Sequence, residues 1–128
     1  MDDDITEQLI KQRIRNRIME VLAFFCETQC LHEIGADEII ESWFDFVNND
    51  GLSWYDSPVF SRDEAEVIRH FHLLLDGKYL HIPDHSRAED VERNPAWMEL
   101  SAAAREAVEV FKKRGRMDED RLIPAEDL

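Results

Sequence analysis

Apolar positions recur at helical spacing along most of the chain. From Asp4 or Thr6 to Ile34, the side chains of Ile10, Ile14, Ile18, Val21, Leu22 and Phe25 fall on one face at about 100° per residue. Asp4 and Glu7 have the spacing of a capping box. Between Val21 and Cys26 the sequence VLAFFC is apolar all round. This pattern predicts one long first helix whose second half is a buried strut. Its first half, holding Lys11, Arg13, Arg15 and Arg17, is expected to be more exposed, and Gly35 is the stop.

A second helix is predicted from Asp37 to Asn48. Ile39, Ile40, Trp43, Phe44, Phe46 and Val47 share an arc of roughly 160°, and Asp37, Glu38, Glu41 and Asp45 share the opposite one. Residues 51–60, GLSWYDSPVF, lack helical period and read as an ordered loop. Ser61 and Glu64 form a capping box for a third helix, with Phe60 as the staple residue before it. Val67, Ile68, Phe71, Leu74 and Leu75 point inward, and Asp76-Gly77 ends the helix.

The piece from Lys78 to Pro83 is a short strand or a strapped loop. Ser86 and Glu89 have capping-box spacing and predict a short helix. Asn94-Pro95 opens the last helix, with Asn as cap and Pro at the first position. Trp97, Leu100, Ala104, Ala107, Val108 and Phe111 lie on its inner face. Lys112, Lys113 and Arg114 suit the dipole of its final turn, and Gly115 closes it. The expected fold is all-α: one domain over residues 1–115, a bundle of four to five helices with at most a short strand near 79–82. An acidic C-terminal tail, 116–128, is expected to be loosely held.

Charge narrows the function. The 128 residues hold 15 Lys and Arg against 29 Asp and Glu, a net charge of −14. A field of that sign repels phosphate backbones and anionic lipid, so neither nucleic acid nor a membrane is an expected partner. A basic protein surface is the favoured one. No apolar run reaches the ~18 residues of a membrane span. Met1-Asp2-Asp3-Asp4 is acidic where a signal peptide is basic, so the expected location is cytoplasmic.

The charge is unevenly spread. Residues 36–60 contain six acids and no Lys or Arg, nearly half of the net charge in 25 residues. The same segment holds Trp43, Phe44, Phe46, Trp54, Tyr55 and Phe60, half of the twelve aromatics. Rings that supply contact area beside acids that select a cation describe a protein-binding hot spot. Trp43, Phe44 and Phe46 lie on the apolar side of their helix and are expected in the core. Trp54 and Tyr55, neighbours in a loop, are the rings expected to reach a partner. The candidate binding residues are therefore Glu38, Glu41, Asp45, Asp50, Trp54, Tyr55 and Asp56.

Catalytic chemistry finds little support. HExxH, paired CxxC, GxSxG, GxGxxG and P-loop patterns are all absent. Carboxylate pairs such as Glu38 with Glu41, or Asp63 with Glu64 and Glu66, do acid–base work only inside a cleft, and most of them are expected to face outward. Cys26 and Cys30, on one face of the first helix, read as reduced, buried structural thiols. Glu27 and Glu33 beside them oppose the thiolate. His32 reads as a hydrogen-bonded junction histidine. His70 and His72, two apart, point to different sides of a helix. No cofactor or metal is expected.

The reading is a small acidic protein-binding module, with a bacterial inhibitor or immunity protein against a cationic toxin such as a nuclease as its specific version. Two alternatives stand beside it. One is a metal-binding enzyme or sensor using His81, Asp84 and His85, with His70 or His72. The other is a helical homodimer joined by the aromatics, whereas the first reading is content with a monomer.

Overall fold

The computed structural model describes residues 2–47, 54–55 and 58–128. Among the described residues six α-helices follow in order: α1 (Asp2–Cys26), α2 (Thr28–Ile34), α3 (Ala36–Phe46), α4 (Arg62–Lys78), α5 (Ala88–Val91) and α6 (Pro95–Lys112). Short 3-10 turns cover Tyr79–His81 and Ala125–Asp127. The fold is all-α, and no strand occurs among the described residues. No helix among them is long and apolar enough to cross a membrane.

Helix α1 packs against α6 and α3, and α4 packs against α6. Each of these four helices sends one ring to the centre. Phe25 lies 5.0 Å from Phe71 and 5.1 Å from Trp97, and Trp43 lies 4.7 Å from Phe71. Edge-on and tilted contacts of this kind add to the area they bury. Ile18, Leu22, Ile39, Ile68, Leu75 and Leu100 fill the space around them, all fully buried.

The long first helix breaks at Glu27, whose backbone is extended (φ −106°, ψ 117°). Neither Gly nor Pro marks the break, so local sequence gave no sign of it. Tertiary packing imposes it: the turn buries Leu31 and lays α2 against α3 and α5. The break accounts for a helix count above the four or five expected. It also separates Cys26 from Cys30, which therefore do not share one helical face. Gly35 at φ +96° ends α2 and opens α3, a conformation that favours glycine.

Two charged residues expected outside lie inside. Arg15 and Glu64 are both fully buried. Ser61 caps α4 as predicted: its Oγ accepts from Glu64 N, and Glu64 Oε1 accepts from Ser61 N. The same carboxylate accepts two bonds from Arg15, Nε at 3.0 Å and Nη2 at 2.8 Å. Arg114 completes the cluster, with Nε at 3.0 Å and Nη2 at 2.6 Å from the two Glu64 oxygens. Burial alone raises the Glu64 pKa. The hydrogen bonds and charges of Arg15 and Arg114 outweigh it and hold the carboxyl at about 2.

The predicted cap on α5 does not form. Ser86 Oγ donates instead to Pro83 O at 2.5 Å, and Arg87 takes the N-cap position with no side-chain bond. The C-terminal segment is strapped to α1 rather than loose. Gln12 Nε2 donates to the carbonyls of Asp118 and Arg121, both at 2.8 Å. Asn16, fully buried, exchanges two bonds with the Met117 backbone at 2.7 and 2.9 Å. Arg17 and Arg116 clamp Glu119, each at 3.1 Å.

Candidate functional site

Helix α3 divides as its sequence requires. Ile39 and Trp43 are fully buried, whereas Glu38, Glu41 and Asp45 are exposed on the opposite face. Phe44 and Phe46 are half-buried at the edge of the core. Trp43 Nε1 donates to His72 Nδ1 at 3.1 Å and ties α3 to α4. An indole nitrogen only donates, so His72 accepts at Nδ1 and carries its proton on Nε2. Burial lowers the His72 pKa, against a smaller opposing effect of the Asp76 charge, and keeps the ring neutral.

An open cleft of about 560 Å³ lies between α3 and the C-terminal end of α4. Its floor is apolar, made by Ile40, Phe44, Val47, Tyr79 and Ile82. Phe44 meets Tyr79 edge-on at 5.7 Å. The rim is acidic, made by Asp37, Glu41, Asp76 and Asp84, with His72 and His85 also lining the space. Asp37 Oδ2 accepts from the His85 backbone N–H at 2.9 Å and stands 3.7 Å from its Nδ1.

Several basic residues are paired with acids outside this face. Arg15 and Arg114 serve Glu64, while Arg17 and Arg116 serve Glu20 and Glu119. Lys78 reaches Glu99 at 2.7 Å, and Lys112 reaches Glu109 at 3.4 Å. Among the described residues, no Lys or Arg lies within 4.0 Å of Glu38, Glu41, Asp45, Asp76 or Asp84. Of the six acids in residues 36–60, the four described ones form no ion pair with Lys or Arg, and Asp37 stands beside His85.

The two rings of the following loop part ways. Tyr55 is buried, 4% exposed, and its O–H donates to the Phe46 carbonyl. It belongs to the core and offers nothing to a partner. Trp54 is half-buried against Tyr55 and Phe60, with Lys11 Nζ 4.8 Å from its ring centroid. A loop position predicted exposure, but the small core at this end of the bundle closes over Tyr55 and leaves Trp54 half-exposed. Asp50 and Asp56 lie outside the described residues.

Other candidates separate. Among the described residues, no three His, Cys, Asp or Glu side chains are placed to hold a metal ion, so His81, Asp84 and His85 form no ligand cluster. His70 is exposed and His72 buried, on different sides of α4 as their spacing required. Cys26 and Cys30 are free thiols, each partly rather than fully buried. Burial pushes Cys26 up to about 11, and burial with the Glu27 hydrogen bond raises Cys30.

Tyr79 and Ile82 join the site without having been singled out in the sequence, while Asp84 was named there only as a metal-ligand candidate and Asp76 only as a helix end. Asp76 did carry a signal: a carboxylate in the last turn of a helix opposes the dipole. No family model matches the chain, and no curated protein or solved structure is detectably similar to it.

Proposed function

We propose that this protein is a small acidic module that docks a basic protein through the outer face of α3 and the adjoining cleft. One observation carries the reading. Glu38, Glu41 and Asp45 are exposed and form no ion pair with Lys or Arg among the described residues, while Arg17 and Arg116 are held by Glu20 and Glu119. Carboxylates in that state steer a cationic partner and select it. The rings that support docking are Phe44 and Tyr79 in the cleft rather than Tyr55. A self-interface draws no comparable support, since Trp43 and Tyr55 are covered by their own chain. The specific version is an inhibitor or immunity protein that sits where a basic enzyme, such as a nuclease, receives anionic substrate.

The test is association kinetics against purified cationic ribonucleases and deoxyribonucleases over a range of salt. Glu41→Lys with Asp45→Lys is expected to lower the association rate at least about tenfold at low ionic strength and to flatten its salt dependence. The melting curve should stay put. Association indifferent to both charges places the docking surface elsewhere.

A further inference from the structure

The cleft beside α3 combines two surfaces that suit different parts of one guest. Its floor is aliphatic and aromatic, and its rim is carboxylate. A long cationic side chain matches both, with its methylene stem on the apolar floor and its charged head at the rim. Asp76 stands in the last turn of α4, where the helix dipole disfavours it, and Lys78 of that turn is turned away to Glu99 at 2.7 Å. The neutral His72 in the lining does not repel a cation. Phe44 and Tyr79 supply rings on which a planar guanidinium stacks, and separate carboxylates suit its forked donors better than a point charge. A volume of about 560 Å³ takes such a side chain together with flanking backbone.

We infer that this cleft seats an arginine side chain of the basic partner, its stem against Phe44 and Tyr79 and its guanidinium among Glu41, Asp76 and Asp84. The inference rests on the docking role of the α3 surface and adds the anchor. Asp76 and Asp84 belong to the cleft alone, whereas Glu38 and Asp45 belong to the open face alone, so the two can be separated.

The probe is a capped tetra-arginine peptide, with capped tetra-lysine as comparison, followed by calorimetry and by the ring resonances of Phe44 and Tyr79. Asp76→Asn with Asp84→Asn is expected to weaken tetra-arginine binding about tenfold and to abolish the ring shifts. Glu38→Gln with Asp45→Asn should have a smaller effect and leave those shifts in place. Both acids of the first variant are exposed, so folding is expected to survive, and a thermal melt verifies it. A drop confined to the open-face variant overturns the anchor and leaves the docking surface standing. Equal drops in both variants mean an unlocalised field and also overturn the anchor. No drop in either overturns both readings, and equal affinity for tetra-lysine overturns the choice of arginine.

Discussion

Arg15 and Glu64 face each other through two hydrogen bonds, at 3.0 and 2.8 Å, in a part of the core that water does not reach. Glu64 also closes the capping box of α4, so one carboxylate starts a helix and fastens it to α1. Removing one partner leaves the other charge buried and uncompensated, which costs far more than a surface pair. Glu64→Gln is expected to lower stability by roughly 3–5 kcal/mol. Urea unfolding followed by circular dichroism measures it, and a change under 1 kcal/mol, the range of a surface pair, contradicts the buried geometry.

Acid should act through the same residue. Glu64 titrates at about 2 in the folded chain against an ordinary 4.5, so the unfolded form binds the extra proton. Its contribution is complete above about 4.5 and is lost as pH falls toward about 2. The stability difference between wild type and Glu64→Gln should therefore shrink steadily through that window. A gap of constant size would show that Glu64 is not held ionised by Arg15 and Arg114.

Tyr55 is predicted to be structural. Tyr55→Phe removes the bond to the Phe46 carbonyl and should cost about 1 kcal/mol. Binding to a basic partner should not change. Loss of affinity without loss of stability would return Tyr55 to the docking surface.

Asn16 holds the C-terminal segment at both polar groups of the Met117 backbone. Asn16→Ala leaves them without that partner, at a cost of about 1–3 kcal/mol. Hydrogen exchange should speed up from Met117 through Ile123 first, with α4 protected. Uniform acceleration would mean that the tail and the bundle open together.

Neither cysteine is built to react. Cys26 is lifted to about 11 by burial, chiefly, and Cys30 is lifted by burial and Glu27. Alkylation at neutral pH should be slow for both and slower at Cys26. Rates equal to that of a free peptide thiol would contradict these surroundings.

The sequence by itself determined most of the helices, most of their inner faces and the acid face of α3, because those properties depend on residues three and four apart. Ser61 with Glu64 and Asn94 with Pro95 announced two helix starts for the same reason. Ser86 with Glu89 shows the limit of such signals, since the local cap lost to a turn around Pro83. Only the tertiary structure decided the fate of individual charges. Arg15 and Glu64 are 49 positions apart, and no periodicity could show that each hides the other. The break at Glu27, the strapping of the tail by Gln12 and Asn16, and the burial of Tyr55 share that origin. The cleft does too: α3 contributes Ile40, Glu41 and Phe44, but Asp76, Tyr79 and Asp84 reach it only when α4 and the loop beyond fold back. Spacing along a chain sets which way a side chain points, and packing between elements sets what it meets there.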